Sequence, residues 1–309
     1  MIPQSGDLLF LDATSNLDRS DSKLFHFMTP SSIGGLPVAT MITTREDEDT
    51  VTFGIELLKT ILPLGAFHGR GSSRGPMLGA SDDSEVIRNA LRRAWPEIIL
   101  LLCQFHLLQA HWNWLWTSKN GIEHKEKAIL IHLFKNLVYS KTDEEFDTYE
   151  NKMRENQVFQ KYINYQKYVD NLLERKEEWS LLFRINKKLP TSNQNTTNIC
   201  ETSFRREKEE VFNRHRAYNL TDMVRMVVDS SEGYAIRCVD AANGTLNQRL
   251  KNQKTHYLIK KTKIDPSEIK QIDEFTYEVP SETKSDVTYQ VNLSLRLCTK
   301  MFYRIHFSS

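Results

Sequence analysis

The sequence has few cysteines and no long apolar segment, and each of these absences argues against a class of protein. Its four cysteines are widely separated along 309 residues, which argues against a disulfide framework and favours a reducing compartment. No apolar run approaches the roughly 20 residues that a membrane-spanning helix requires. The first residues lack a basic segment followed by an apolar stretch, so we expect no secretory signal.

The chain also lacks a strong charge of one sign and a phosphate-binding loop. Its formal net charge is +1, so any contact with nucleic acid must come from local clusters of cations. The glycine-rich segment 65–80 contains no G-x-x-x-x-G-K-[ST] pattern, and we predict a flexible active-site loop there. The composition, 39% hydrophobic and 26% charged, is typical of a globular chain with a substantial core.

Short apolar runs in the first third of the chain predict an α/β fold. Residues 8–11, 24–28 and 38–43 are strand candidates, and a helix is expected over 50–62. An acidic segment at 82–85 then opens a second helix, which Pro96 ends. The apolar run 98–102 suits a strand buried on both faces. Three strands followed by helix and buried strand indicate a sheet with an antiparallel start and a parallel continuation.

The rest of the chain divides into a helical region and a small β unit. Apolar and aromatic residues with helical spacing from about 122 to 188 predict an all-helical insertion. Helices are expected again over 201–216 and 221–228, and alternating strands over 275–279 and 287–291. We therefore predict four parts: 7–118, the first part of the core; 119–195, the insertion; 196–244, the completion of the core; and 245–309, a basic linker with a small β unit.

Three acids stand at informative places in this scheme. Asp12 ends the first strand, Asp82 opens the helix before the buried strand, and Glu201 opens a helix after the insertion. Carboxylates that converge from separate elements can hold two divalent ions for phosphoryl transfer. Each acid also has a purely structural interpretation: Asp12 as a turn residue, Asp82 as an N-cap with Glu85 as its capping-box partner, and Glu201 as a first-turn acid.

A Cys-x-x-His motif and a run of tryptophans follow the buried strand. Cys103 and His106 have the spacing of half a zinc site, but no second close pair of ligands appears, so we expect no zinc. A buried cysteine beside a hydrogen-bonded histidine is the structural alternative. The tryptophans could stack on bases, although packing in the core is their commoner use; they are Trp112, Trp114 and Trp116.

The helix after Glu201 is rich in cations. These residues are predicted to contact DNA phosphates, and a solvated helix face is the alternative. They are Arg205, Arg206, Lys208, Arg214 and Arg216.

Together these motifs resemble the Mutator-like (MULE) transposase domain. The resemblance rests on the strand with Asp12, the S-D-D-S segment at 81–84, L-L-C-x-F-H at 101–106 and T-T-N-x-x-E at 196–201. It runs from about residue 8 to 245 and includes the G-G-L-P turn at 34–37 and R-H-R-A-Y-N at 214–219. Ser81 replaces the Thr that such transposases commonly have, and Thr197 replaces an Asn.

The resemblance implies an RNase H-like core, a mixed sheet flanked by helices, that an all-helical insertion interrupts. It implies a DDE triad of Asp12, Asp82 and Glu201 that binds two Mg²⁺ or Mn²⁺ ions, with Cys103 and His106 as a supporting motif. The expected activity is DNA cleavage and transfer at transposon ends by a nuclear homo-oligomer without a membrane association.

Two modules usual in the family are not recognised, and their absence leaves a second interpretation open. The tail around 275–298 resembles the approach to a SWIM zinc finger, but Thr299-Lys300 follows Cys298 where the finger would continue. An N-terminal DNA-binding module is not recognised either. The alternative to an active transposase is therefore a non-catalytic remnant, domesticated or truncated, that binds DNA or protein.

Overall fold

A computed structural model describes most of the chain. The described residues are 6–31, 34–191, 195–196, 198–212, 215, 219–242, 264–281, 288–292 and 297–298. Of the sequence predictions, the basic linker at 245–263, Arg214 and Arg216 lie outside these residues.

The fold is α/β, with a mixed five-stranded sheet flanked by helices. Its strands are β1 (Leu8–Thr14), β2 (Lys23–Ser31), β3 (Gly34–Thr43), β4 (Leu78–Ser81) and β5 (Ile99–Leu102), in the spatial order β3-β2-β1-β4-β5. β1 pairs with β2 and β2 with β3 in antiparallel fashion, whereas β1 with β4 and β4 with β5 are parallel. The predicted antiparallel start and parallel continuation are confirmed.

The central strands are buried on both faces because successive side chains point to opposite sides of the sheet. On one face, Leu9 and Leu11 of β1 belong to a cluster with helices α1 (Glu48–Ile61) and α4 (Glu85–Ala94). On the other face, Leu8 and Phe10 pack in a separate cluster with residues of two helices that lie between residues 198 and 242. Burial on two sides explains why the strands of this sheet are apolar runs rather than alternating patterns.

The structure alters two local predictions in this half of the chain. β1 continues through Asp12 to Thr14, because residues 10–14 all pair with β2. The glycine-rich segment forms two short helices, α2 (Ala66–Gly69) and α3 (Gly71–Arg74), instead of an open loop. Gly75, with φ of 64°, is required where the chain passes Trp95, because a Cβ there would lie 2.4 Å from the indole ring.

A helical region follows β5 and has its own apolar cluster. Its helices are α5 (Gln104–Trp116), α6 (His124–Tyr139), α7 (Asp143–Glu155), α8 (Gln157–Lys161), α9 (Ile163–Leu173), α10 (Lys176–Trp179) and α11 (Leu181–Asn186). Thr142 caps α7, since its side chain accepts a hydrogen bond from the Glu145 amide at 3.2 Å. Trp112 is buried in the cluster and Trp114 stacks on Tyr168, which confirms packing as the role of these aromatic rings.

Polar contacts join this helical region to the sheet. Arg88 of α4 pairs with Glu178 of α10 at 2.6 Å. Arg184 of α11 is buried and donates to the Leu102 carbonyl of β5 at 2.6 Å. These contacts attach α10 and α11 close to the carboxyl ends of β4 and β5, where the candidate site residues follow.

The chain returns to the sheet with α12 (Asn198–Arg206), a π-helical turn (Glu207–Val211) and α13 (Leu220–Ala242). The helix predicted over 201–216 thus starts earlier and changes geometry at Glu207. A second sheet contains β6 (Lys270–Gln271), β7 (Thr276–Pro280), β8 (Thr288–Asn292) and β9 (Leu297–Cys298). β7 and β8 pair in antiparallel fashion, as their alternating sequences predict.

Candidate active site

The alternation of side chains along the strands brings the predicted site residues to one face of the sheet. In β1, Asp12 continues the series of Leu8 and Phe10, and after β4, Asp82 continues the series of Leu78 and Ala80. All four apolar residues pack against α12 and α13, so the two carboxylates are directed to the same side.

The strand register aligns the two aspartates. Phe10 lies beside Ala80 in the parallel β1–β4 pair, and each aspartate comes two residues later. Cys103 comes two residues after Leu101, which packs on the same face of β5. The carboxyl ends of three neighbouring parallel strands therefore carry Asp12, Asp82 and Cys103.

Asp12 is buried, with 7% of its surface exposed. Its Oδ1 accepts a hydrogen bond from the Ala13 amide at 2.8 Å. Burial, together with the negative charges of Asp82 and Glu201, raises the pKa of Asp12 to about 7, against the opposing effects of His106 and the Ala13 amide. These electrostatic interactions show that the fold brings the three predicted carboxylates, Asp12, Asp82 and Glu201, close to one another.

Asp82 does not cap the following helix. Ser84 is the N-cap of α4, and its side chain accepts a hydrogen bond from the Ile87 amide. Asp82 Oδ1 instead accepts from the Ser84 amide at 3.1 Å, which fixes the turn between β4 and α4. The capping-box interpretation of Asp82 is therefore wrong, and its carboxylate remains beside Asp12.

Glu201 reaches the site from α12. Cys200 and Phe204 bury the apolar side of this helix against β1 and β2, within the cluster that contains Phe10. The Glu201 carboxylate lies 3.5 Å from His106 Nε2, and about a fifth of the side chain is exposed. α12 thus supplies a carboxylate that comes from a distant part of the sequence.

His106 connects the Cys-x-x-His motif with the acids. Cys103 is the N-cap residue of α5, so His106 lies one helical turn further on and on the same side. Burial lowers the pKa of His106, but its hydrogen bond with Cys103 and the negative charges of Cys103, Asp12 and Glu201 outweigh that effect and raise the pKa to about 10. The imidazolium is therefore the stable form beside these acids. The structural alternative, a buried cysteine with a hydrogen-bonded histidine, describes part of this geometry.

The predicted DNA-contacting cations have different environments. Arg205 is exposed on α12. The guanidinium of Arg206 lies 4.3 Å from the centroid of the Tyr234 ring and donates to Ser230 Oγ at 3.3 Å. Lys208 is half-buried, and burial lowers its pKa, while the charges of Glu207 and Asp12 oppose this shift. Of the described cations in this set, Arg205 is therefore the one with an exposed side chain, and Lys208 lies within electrostatic reach of Asp12.

A buried His26–Glu207 pair, which the sequence analysis does not predict, borders the site. His26 lies opposite Asp12 in the β1–β2 register, and its Nε2 is 2.9 Å from Glu207 Oε2. Its ring stacks on Phe204 with the centroids 4.7 Å apart. The pair joins β2 to the π-helical turn that carries Lys208. A lone histidine within the apolar run 24–28 is the signal that the sequence offers.

Comparisons with known proteins assign no family to this chain. No protein-family model matches the sequence, and no curated protein matches it significantly. Among the described residues, no helix is long and apolar enough to cross a membrane. The functional interpretation therefore rests on the geometry of the site.

Proposed function

We propose that this chain is the catalytic domain of a DDE transposase, which cleaves and transfers DNA strands by metal-dependent phosphoryl transfer. The observation that carries the proposal is the convergence of Asp12, Asp82 and Glu201 at one edge of the sheet, where Asp12 is buried and feels the negative charges of the other two. Clustered carboxylates with a strongly shifted pKa are typical of functional sites.

The topology of the sheet supports an RNase H-like core as part of this proposal. The sheet of order β3-β2-β1-β4-β5, antiparallel in its first half and parallel in its second, agrees with the mixed sheet flanked by helices that the resemblance implies. The helical region between β5 and α12 agrees with an insertion between the second aspartate and the glutamate.

The residues at the site fit the binding of Mg²⁺ or Mn²⁺. These hard cations prefer carboxylate oxygens, and they offset the burial and the repulsion by Asp82 and Glu201 that together raise the pKa of Asp12. Asp12, Asp82 and Glu201 would hold two ions. When bound, such ions supply an activated water or 3′-hydroxyl and stabilise the leaving oxygen.

The surrounding residues would orient these ligands. His106 lies against Glu201 and limits the positions that its carboxylate can take. The Ser84 amide holds Asp82, and the Ala13 amide holds Asp12. Ligands that are fixed before the substrate arrives reduce the reorganisation needed in the reaction.

DNA is the proposed substrate and partner. Arg205 on the exposed side of α12 would contact a phosphate, and Lys208 would neutralise charge next to Asp12. Assembly as a homo-oligomer in the nucleus remains part of the proposal.

The test is cleavage of supercoiled plasmid DNA with Mg²⁺ or Mn²⁺, measured together with Mn²⁺ binding by electron paramagnetic resonance. We expect the wild-type protein to bind Mn²⁺ and to nick DNA, and we expect Asp12→Asn, Asp82→Asn and Glu201→Gln to lose both properties. Asp49→Asn is the matched control, because Asp49 is an exposed acid that pairs with Arg93 away from the site.

Two results would contradict the proposal. Equal nicking by the wild type and the triad variants would assign the activity to a contaminant or to another site. DNA binding without Mn²⁺ binding or nicking would favour the alternative, a non-catalytic DNA-binding derivative of a transposase.

A further inference from the structure

Three side chains at the edge of the acidic site combine ligand types that hard cations do not need. Cys103, His106 and Glu201 each offer one ligand atom, and these three atoms lie within 4.8 Å of one another. The set contains a thiolate sulfur, an imidazole nitrogen and a carboxylate oxygen, which is a combination typical of Zn²⁺. Mg²⁺, in contrast, prefers oxygen ligands alone.

The distances are close to those of an occupied site. In a tetrahedral site, Zn–S and Zn–N bonds of roughly 2.3 and 2.0 Å place the two ligand atoms about 3.5 Å apart. The span of 4.8 Å therefore has to close by about 1.3 Å, which is shared among the three side chains. His106 and Glu201 are each about a fifth exposed, so an ion can enter from solvent, whereas Cys103 forms the buried end of the group.

The surroundings fix the position of the cysteine. Arg184 is buried and donates a hydrogen bond to the carbonyl of Leu102, the residue before Cys103. An ion that binds here must displace the proton of His106, because the neutral imidazole is the form that binds metal. The position of Cys103 at the start of α5 places it and His106 one turn apart, so both can contact one ion.

We propose that Cys103, His106 and Glu201 bind a thiophilic divalent ion of the Zn²⁺ type, and that this ion withdraws Glu201 from the acidic triad. The sequence predicts no zinc because only two possible ligands, Cys103 and His106, are close together in the chain. The fold adds the third, Glu201, from α12. Binding itself does not depend on the proposed transposase function. The competition for Glu201 does depend on it, because only the Mg²⁺ site shares that carboxylate.

Binding is tested by titrating the reduced protein with Co²⁺, which gives a thiolate-to-metal absorption band and d–d bands of a four-coordinate site. We expect both in the wild type. Cys103→Ser should lose the thiolate band, and His106→Gln, a change at the exposed rim, should weaken Co²⁺ affinity by at least about tenfold. Cys238→Ala is the matched control. Cys238 belongs to α13 and is not one of the three proposed ligands, so the band should persist in this variant.

The thiolate-to-metal band also shows whether the bound ion is ligated by Cys103 or by another cysteine. A thiolate band that persists in Cys103→Ser, or one that is absent from the folded wild type, overturns the proposal. Circular dichroism of each variant identifies a loss of folding, and His106→Gln then provides the test if Cys103→Ser does not fold.

Competition is tested by adding Zn²⁺ to the protein loaded with Mn²⁺ and following the release of Mn²⁺ by electron paramagnetic resonance. We expect release from the wild type at a lower Zn²⁺ concentration than from Cys103→Ser. Equal release from both would overturn the competition. If the proposed transposase function fails, Mn²⁺ does not bind at all while the Co²⁺ band remains, so the two failures give different results.

Discussion

His111 lies at the centre of the helical region and makes its stability depend on pH. The side chain is fully buried, and its ring stacks on Phe134 with the centroids 4.2 Å apart. Its Nε2 is 2.8 Å from the Tyr165 hydroxyl, which itself donates to the Leu130 carbonyl. Because the Tyr165 hydroxyl donates its proton to Leu130, it can only accept a hydrogen bond from His111. The proton of the neutral imidazole therefore lies on Nε2.

The size of the pH effect follows from the cost of charging this ring. Burial lowers the pKa of His111 from 6.5 to about 3. Below pH 6.5 the unfolded chain gains a proton at this residue and the folded chain does not, so stability falls as the pH decreases. One pKa unit corresponds to about 1.4 kcal/mol. The exclusion of a proton from His111 should therefore lower the free energy of unfolding by about 2 kcal/mol between pH 6.5 and pH 5.

The perturbation is His111→Gln, which keeps an amide donor for Tyr165 but does not titrate. We expect the variant to be less stable near pH 7.5, and its stability difference from the wild type to shrink by about 1.4 kcal/mol per pH unit below 6.5. Urea unfolding followed by tryptophan fluorescence measures this difference, because Trp112 and Trp179 are buried in the same cluster.

The control is His132→Gln, because His132 is exposed on α6 in the same helical region. Its stability difference from the wild type should not change over the same pH range. Parallel free-energy curves for the wild type and His111→Gln would refute the reasoning, since they would mean that folding does not exclude a proton from His111.

Three further predictions concern the sheet and the edge of the site. Mn²⁺ affinity should fall about tenfold per pH unit below pH 7, because the buried Asp12 carboxyl, with its pKa raised to about 7, must lose a proton to bind; titrations from pH 7.5 to 5.5 measure this. Glu207→Ala should destabilise the fold by about 2 kcal/mol because it leaves buried His26 without this partner, and an unchanged thermal midpoint would contradict that. Arg175→Ala should cost less than about 1 kcal/mol in urea unfolding, since its ion pair with Asp83 is partly exposed; a larger loss would show that the pair does more than a surface contact.

The sequence predicts the sheet well because its strands are buried on both faces. Runs such as 8–11 and 98–102 bury all of their side chains only inside a layered structure, so the positions of these strands can be predicted from the chain. The end of β1, in contrast, cannot be predicted from the polarity of its residues. An apolar run stops at Asp12, but backbone pairing with β2 continues to Thr14, because hydrogen bonds do not depend on the polarity of the side chain.

The sequence suggests that Asp12, Asp82 and Glu201 lie close together, but this proximity is visible only in the tertiary structure. The positions of Asp12 and Asp82 follow from strand order, whereas Glu201 reaches them only because Cys200 and Phe204 pack α12 on that face. The π-helical turn at Glu207 has no clear sequence signal, and the pairing of Glu207 with His26 joins residues that are far apart in the chain. Contacts between distant segments set these features, and local patterns do not contain that information.

The energetics of Asp12 argue that this edge of the sheet is a functional site. A fold selected for stability alone would place an apolar side chain at a position with 7% exposure, in the same series as Phe10. Instead the position holds a carboxyl whose pKa is raised by its burial and by Asp82 and Glu201. His106 offsets part of that repulsion, but it cannot neutralise three acids. A site with this remaining negative charge is stabilised when cations bind, and that gain is absent from a purely structural network.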